Sequence, residues 1–288
     1  MNSFVKSGKL STNTHALIGA GNMGGALLSG WLSAKDNQGV AKALQANEIL
    51  VIDPAPGQAA ARALRLGVKF SARLTKGAAS GLKMCLLAIK PQLFTKVGPE
   101  LAEALPKDVL VVSIMAGIKL KGLTDVFGDR PIIRAMPNLP AAYGVGITGY
   151  VCGEGVTQAH REFAEPRLRA IGKVVQVESE DEIDMLTAVS GSGPGYVFYM
   201  TEVLAEAGVS LGLRPELAAE LARQTMIGSG VVLARSPETS ENLRISVTSP
   251  GGTTEAALDV LMAKDGLPKL MSKAVKAAYQ KSRDLGKF

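Results

Sequence analysis

The most informative stretch of this 288-residue chain is residues 15–24, which read HALIGAGNMG. An apolar run ends at Gly19, and further glycines follow at Gly21 and Gly24, which is the spacing GxGxxG. In a strand-to-helix turn, the first glycine allows the tight bend, the second lets a pyrophosphate approach the backbone, and the third permits close helix packing. An ordinary strand-to-helix turn is the alternative. We expect a dinucleotide-binding turn formed by Gly19, Ala20, Gly21, Asn22, Met23 and Gly24.

Outward from this turn, short apolar runs alternate with helical stretches as far as residue 177. The runs lie at 15–20, 48–53, 83–89, 109–115 and 131–136, and the helical stretches at roughly 23–35, 57–66, 92–105 and 119–127. Because runs that are apolar nearly throughout suit strands buried on both faces, the alternation predicts a doubly wound parallel sheet. Two later runs, 146–152 and 173–177, bracket a helix-like segment at 157–171 and are candidates to extend the sheet.

After Glu178 the strand-like runs end and helical patterns continue to the end of the chain, at 195–212, 215–235 and 267–278. In the last of these, apolar residues follow the i, i+3, i+4, i+7 spacing of an amphipathic helix. We therefore expect an α/β protein with a flexible tail at 1–13, a Rossmann-type doubly wound sheet at 14–178 and an all-helical C-terminal domain at 179–288. Rich in small and apolar residues, the helical domain is a candidate dimerisation element.

Composition excludes several classes of protein. With 47% hydrophobic and 20% charged residues, the chain is not of the disordered class, and its apolar stretches are far shorter than the ~20 residues of a membrane span. Two cysteines and two histidines favour neither a disulfide framework nor a metal site. The net charge of +6 is spread along the chain, so no nucleic-acid partner is expected. Residues 1–13 lack the apolar core of a secretory signal, which favours a cytoplasmic protein.

Asp53 ends the second predicted strand, where an acidic residue binds the ribose 2′-hydroxyl in NAD sites. Its carboxylate would repel a 2′-phosphate, so Asp53 favours NADH over NADPH. Two alternatives stay open. Asp53 is equally suited to capping the loop before Pro54, and Arg62, Arg65 or another basic residue could accept a 2′-phosphate.

Further candidate cofactor contacts lie at the carboxyl ends of the later predicted strands, where open α/β sheets bind ligands. Asn138 stands between two prolines in a rigid turn, and its amide is a candidate partner for a nicotinamide. Lys90 is a candidate contact to cofactor or substrate, with a plain Lys-Pro helix start as the alternative. The full set of these contacts is Ala88, Lys90, Pro91, Ala116, Gly117, Met136, Pro137 and Asn138.

Two glycine-containing constellations lie in the helical half. Residues 190–195, SGSGPG, end one predicted helix and begin another, which is also the pattern of a simple kink. Residues 249–255, SPGGTTE, precede the helical run AALDVL and place unpaired backbone N–H groups and hydroxyls at a helix start. Such a start binds anions. A helix capped by Thr253 or Thr254 is the alternative, and the residues alone favour neither.

These motifs together resemble pyrroline-5-carboxylate reductases. The resemblance runs from about residue 14 to 284 and rests on GAGNMGGALLSG, LLAIKPQ, SIMAGI, RAMPNLPA, LTAVSGSGPGYVF and, most specifically, SPGGTTEAALDVL. It implies the last step of proline synthesis, in which the cyclic imine 1-pyrroline-5-carboxylate is reduced to L-proline with NADPH or NADH. It also implies a homodimer interlocked through the helical domain, which family members often assemble into a decamer.

The resemblance assigns roles to the SPGGTT loop. It implies that the substrate lies between the nicotinamide held by one chain and this loop of its partner, with the carboxylate bound by Ser249, Gly251, Gly252, Thr253 and Thr254. Thr254 matches the position proposed to hydrogen-bond the ring nitrogen. One departure concerns the cofactor. Many family members follow the second strand with an Asn-Arg-Ser type sequence suited to a 2′-phosphate, whereas this chain has Asp53-Pro54-Ala55.

Two rival interpretations make different demands on the sequence. A reductase of the β-hydroxyacid dehydrogenase or imine reductase type would carry a catalytic lysine on the interdomain helix, and residues 185–200 contain none. A dinucleotide-sensing or scaffold protein that had kept the fold without catalysis would be expected to lose the substrate loop, and SPGGTT is intact.

Overall fold

The computed structural model describes residues 14–33 and 43–286. In this part of the chain eight strands form one sheet in the order β3-β2-β1-β4-β5-β6-β7-β8. The strands are β1 (Thr14–Ile18), β2 (Ile49–Ile52), β3 (Lys69–Ser71), β4 (Leu82–Leu87), β5 (Leu110–Ser113), β6 (Ile132–Met136), β7 (Gly146–Cys152) and β8 (Gly172–Gln176). The predicted Rossmann-type α/β fold is confirmed, and the two later runs do extend the sheet.

The sheet is parallel except at one pairing. The first six strands run parallel, β7 is antiparallel to β6, and β8 is parallel to β7. A parallel crossover needs a dozen or more connecting residues. Only the short 3₁₀ turn Leu139–Tyr143 and its flanks separate β6 from β7, so the chain reverses direction there.

Twelve α-helices complete the described part of the chain. They are α1 (Asn22–Leu32), α2 (Gln58–Arg65), α3 (Lys76–Ala79), α4 (Pro91–Ala104), α5 (Leu120–Phe127), α6 (Gln158–Arg169), α7 (Glu180–Leu186), α8 (Gly193–Ser210), α9 (Pro215–Arg235), α10 (Ser240–Ser246), α11 (Thr253–Leu261) and α12 (Leu267–Leu285). A short π-helical segment, Thr187–Gly191, separates α7 from α8. No helix in this part is both long and apolar enough to cross a membrane.

The sheet is buried on both faces, as the apolar runs predicted. Along β1, Leu17 packs into one core cluster, whereas Ala16 and Ile18 pack into the other. Cys85 of β4 lies in the second cluster, and burial raises the pKa of its thiol to about 12. The thiol is therefore protonated and unreactive at neutral pH.

Arg130 ties together the carboxyl ends of two helices of the sheet. Its guanidinium donates hydrogen bonds of 2.6–2.8 Å to the backbone oxygens of Ala102 and Leu105 at the end of α4, of Pro106, and of Phe127 at the end of α5. The last carbonyls of a helix have no partner within it, and a cation there interacts favourably with the negative end of the helix dipole. Arg130 therefore fixes the two helices against the loop that leads into β6.

The described residues fall into two compact units, one ending at Gly191 and the other comprising Ser192–Gln280, with residues from Lys281 onward belonging to the first. The predicted bounds 14–178 and 179–288 remain a prediction. The predicted tail at 1–13 lies outside the described residues. In the second unit α8, α10 and α11 bury no residue, and large apolar side chains such as Phe198, Tyr199 and Leu233 are more than half exposed in the single chain.

Candidate functional site

The glycine turn has the geometry that its sequence predicts. Gly19 follows β1 with a φ of +89°, and its N–H donates to the carbonyl of Ile52, 2.8 Å away. A Cβ at Gly24 would collide with the carbonyl oxygen of Gly19, so α1 packs against the turn at a distance that only glycine allows. At Gly21 a Cβ would meet no protein atom within 4 Å. The space beside Gly21 is therefore open to a ligand.

The turn borders an open cleft. A cavity of about 710 Å³, here called the nucleotide cleft, is lined in part by Gly19, Gly21, Asp53, Arg73 and Lys90. A second recess of about 450 Å³ is lined in part by Ala20, Gly21, Asn22, Gly57 and Ala142. Helix α1 begins at Asn22 with Gly21 as its N-cap and no side-chain cap, so its first N–H groups remain available to a phosphate. This cradle fits a dinucleotide.

Asp53 is held in place by two backbone N–H groups. Its Oδ2 accepts a hydrogen bond of 2.7 Å from the N–H of Ala20, and its Oδ1 accepts one of 2.8 Å from the N–H of Ala55. The carboxylate thus stabilises the loop that begins at Asp53 and also holds this loop against the glycine turn. A carboxylate has about four acceptor positions, so both oxygens retain capacity for ribose hydroxyls.

The other predicted cofactor contacts lie at the same edge of the sheet, because they follow parallel strands. Ala88 and Lys90 line the nucleotide cleft, and Pro91 is the first residue of α4. Ala116 and Gly117 follow β5, and a Cβ at Gly117 would lie 2.9 Å from the carbonyl oxygen of Leu285. Close packing against Leu285 therefore explains the glycine at position 117. A cofactor role for these residues stays a prediction.

Met136 is the last residue of β6, and Pro137 and Asn138 follow it. Asn138 makes two structural hydrogen bonds. Its Oδ1 accepts from the N–H of Ile147 in β7 at 2.9 Å, and its Nδ2 donates to the carbonyl of Ser190 at 3.2 Å. The side chain is 9% exposed. Asn138 thus links the turn after β6 to the π-helical segment, and contact with a nicotinamide remains a prediction that would use its remaining N–H.

The SPGGTT loop, residues 249–254, begins helix α11 in the second unit. Gly251 has a φ of +70°, and the N–H of Gly252 donates to the carbonyl of Ser249 at 2.9 Å. Gly252 is the N-cap of α11 and has no side chain with which to cap it. Because the first residues of a helix have no partner within it, the N–H groups of Thr253 and Thr254 are left for a ligand. Among the loop residues expected to bind the substrate carboxylate, Thr253 and Thr254 therefore have backbone N–H groups with no acceptor within α11, and their role in binding stays a prediction.

The side chains of both histidines make contacts that stabilise the fold. His15 is fully buried in β1, stacked on Phe163 at 5.1 Å, and its Nε2 accepts a hydrogen bond of 3.1 Å from the Nε of Arg167. The Nδ1 of His160 accepts from the N–H of Thr157 at the start of α6. Within residues 14–33 and 43–286 no three His, Cys, Asp or Glu side chains are grouped so that they could hold a metal ion.

Several residues of the clefts were not anticipated from the sequence, among them Arg73, Gly57 and Ala142. Arg73 follows β3, a three-residue strand at the edge of the sheet that was not predicted. Gly57 and Ala142 border the recess beside the glycine turn. Arg73 lies two residues after Ser71, which pairs with Ile52 at the end of β2, so recognising β3 as a strand would have placed this arginine at the same end of the sheet as Asp53.

Comparisons with known proteins find two family models and several relatives that match the chain. A family model described as pyrroline-5-carboxylate reductase dimerisation matches residues 180–285, and one described as NADP oxidoreductase, coenzyme F420-dependent, matches residues 14–117. The chain is 37% identical over 280 residues to the pyrroline-5-carboxylate reductase of Pseudomonas aeruginosa, covering 96% of this chain and 98% of that protein.

Solved structures show the same similarity. A pyrroline-5-carboxylate reductase from Coxiella burnetii is similar with a TM-score of 0.84 and 34% identity, over 96% of this chain and 100% of that one. A pyrroline carboxylate reductase from Plasmodium falciparum, solved with NADP bound, is similar with a TM-score of 0.75 and 27% identity, over 95% of this chain and 98% of that one.

Proposed function

The chain belongs to the pyrroline-5-carboxylate reductase family, and we propose how its own residues carry out that family's reaction. It is an oxidoreductase of proline biosynthesis that reduces 1-pyrroline-5-carboxylate to L-proline with NADPH or NADH. The observation that supports the residue assignment best is the uncapped start of α11 at the SPGGTT loop, in a chain whose other unit carries the dinucleotide turn.

We assign cofactor binding to the nucleotide cleft. The turn from Gly19 to Gly24 and the N-terminus of α1 would hold the pyrophosphate, and Asp53 the adenine-side ribose. When bound, the dinucleotide supplies the hydride. The protein's part is to hold the two reactants in line and to exclude water, which is worth roughly 7–11 kcal/mol in well-oriented reactions.

We assign substrate binding to the SPGGTT loop. The N–H groups of Thr253 and Thr254, at the positive end of α11, would bind the carboxylate, with the hydroxyl of Ser249 beside them. The hydroxyl of Thr254 would hydrogen-bond the ring nitrogen. A protonated imine needs no strong acid from the protein, since the carbon beside the nitrogen already accepts hydride. This agrees with the structural environments of both histidines.

Thr254→Ala is expected to lower kcat/KM for 1-pyrroline-5-carboxylate by roughly 10–100-fold. The change removes the hydroxyl beside the ring nitrogen, and the loss corresponds to about 1.4–2.7 kcal/mol of transition-state stabilisation. Steady-state kinetics with either nicotinamide cofactor measure it.

Thr254→Ser is the matched control, because it keeps the hydroxyl and removes one methyl group. We expect it to retain most of the activity. Wild-type kinetics in the Thr254→Ala variant would remove Thr254 from the mechanism.

NADH is the cofactor that we propose the chain prefers, with Asp53 as the discriminating residue. Fixed by Ala20 and Ala55, its carboxylate has little freedom to move away from a 2′-phosphate. Proline formation measured with NADH and with NADPH tests the reaction and this preference together. We expect a higher kcat/KM with NADH, and Asp53→Asn should shift the ratio toward NADPH by about tenfold, as expected for removal of one like charge near a surface.

Arg73 provides the control for this interpretation, because it lines the same cleft and follows the strand β3 that pairs with the end of β2 next to Asp53. Arg73→Ala should lower kcat/KM with NADPH and leave that with NADH nearly unchanged. A strong NADPH preference in the wild type that Asp53→Asn does not alter would contradict the role of Asp53.

Dimerisation through the helical unit is our proposal for the assembly. It is supported by the family model that matches residues 180–285 and by the exposed apolar side chains of α8 and α9. Many exposed large apolar side chains on two neighbouring helices are typical of an interaction site. We further propose that the dimer brings the loop of one chain to the cofactor of its partner, that dimers assemble into a decamer, and that the protein is cytoplasmic.

A further inference from the structure

The start of helix α11 has no side-chain cap, which is also true of α1, α2, α4, α5, α8 and α9, whereas four helices among the described residues of this protein have one. Thr75, Thr157, Ser179 and Thr239 each precede a helix and accept a hydrogen bond from the N–H three residues later. At the corresponding position of α11 stands Gly252, although serine and threonine residues lie on either side of it. Without a cap the N–H groups of the first turn stay free, at a cost to the stability of the helix.

Glu255 stabilises this start in a different way. It is the third residue of α11, and its Oε2 accepts a hydrogen bond of 2.7 Å from the N–H of Gly251. In a capping box the side chain at this position reaches back to the N-cap N–H. Here the N–H of Gly252 is already bonded to Ser249, so Glu255 bonds one residue earlier, at the glycine with a φ of +70°. Glu255 thus closes the turn without using the N–H groups of Thr253 or Thr254.

We propose that Glu255 is a positioning residue for the substrate carboxylate. It acts through Gly251, holding the turn so that the N–H groups of Thr253 and Thr254 are ordered before the substrate arrives. This inference rests on the proposed function of the SPGGTT loop and adds a residue outside that loop. The side chain itself is negatively charged and would repel the substrate carboxylate, so its contribution lies in the hydrogen bond that it accepts.

The separation of hydrogen bonding from charge gives the test. Glu255→Ala removes both the hydrogen-bond acceptor and the charge, so substrate binding must then supply the free energy that orders the turn. We therefore expect the KM for 1-pyrroline-5-carboxylate to rise about tenfold, with kcat nearly unchanged. The KM for the nicotinamide cofactor should not change. Glu255→Gln keeps an acceptor for the N–H of Gly251 and removes the charge, so its substrate KM should equal or fall below that of the wild type.

Asp259→Ala is the matched control, because it removes an exposed carboxylate from the next turn of the same helix. We expect wild-type constants for it. A substrate KM in Glu255→Gln as high as in Glu255→Ala would overturn the proposal, as would an equal rise in Asp259→Ala, since the effect would then be one of charge or of general helix stability. Should Glu255→Ala not fold, Glu255→Met, which keeps most of the side chain and removes its carboxylate acceptor, takes its place in the comparison with Glu255→Gln.

The wild-type assay separates failure of this inference from failure of the proposed function. If the wild type forms no proline, the function is wrong. If the wild type is active and both Glu255 variants have its substrate KM, the function stands and Glu255 has no positioning role.

Discussion

Gly24→Ala is expected to lower kcat/KM for the nicotinamide cofactor by at least about a hundredfold and to lower the melting temperature. The added Cβ collides with the carbonyl oxygen of Gly19, which is backbone and has no rotamer with which to move aside. Helix α1 must therefore shift away from the turn that binds the pyrophosphate. A misplacement of about 1 Å at a site costs on the order of a hundredfold, and overpacking costs roughly 1–3 kcal/mol of stability.

Gly21→Ala separates the two effects. Its Cβ meets no protein atom within 4 Å and extends into the space that a pyrophosphate would occupy. We expect a cofactor affinity at least about tenfold weaker and a fall in melting temperature smaller than that of Gly24→Ala, since alanine at the N-cap of α1 costs only about 1 kcal/mol. Gly77→Ala, which also adds a Cβ in open space but in α3, should leave the cofactor affinity unchanged and should not lower the melting temperature, because alanine favours a helix more than glycine does. Normal cofactor kinetics in Gly24→Ala and Gly21→Ala would contradict the assignment of the turn.

Much of the α/β fold could be predicted from the sequence because both faces of the sheet are buried. Each central strand is then apolar at nearly every position, and the helices between them follow a different period. The short edge strand β3 lacks that signal, because Lys69 is exposed and the other two residues of the strand, Phe70 and Ser71, are only partly buried. The direction of β7 depends on how residues 137–145 fold, which periodicity does not report.

Like the fold, the candidate site could be predicted from the sequence only in part. The glycines could be identified because steric demands at Gly19 and Gly24 leave only one residue type possible. Of the two hydrogen bonds that the Asp53 carboxylate accepts, one could be predicted from the sequence and the other could not. An aspartate before Pro54 is expected to bond the N–H of Ala55, whereas the bond to Ala20 requires β1 and β2 to pair across 33 residues. Likewise, the hydrogen bond from the N–H of Gly252 to the carbonyl of Ser249 depends on a turn geometry that the residue spacing does not specify.

The substrate carboxylate is expected to contribute most of the binding energy at the SPGGTT loop. Two charge-assisted hydrogen bonds, from the N–H groups of Thr253 and Thr254, are worth roughly 1.5 kcal/mol each or more. The helix dipole adds to them, and neither N–H has an alternative partner within α11. A substrate that lacks the carboxylate should therefore lose at least about a hundredfold in kcat/KM.

The kcat/KM for 1-pyrroline-5-carboxylate compared with that for 1-pyrroline, the same ring without its carboxylate, tests this account most directly. Both are cyclic imines that accept hydride at the carbon next to nitrogen, so the comparison isolates recognition of the anion. We expect proline to form with either nicotinamide cofactor, and 1-pyrroline to be at least about a hundredfold poorer. Equal constants for the two imines, or no proline formed with either cofactor, would contradict it.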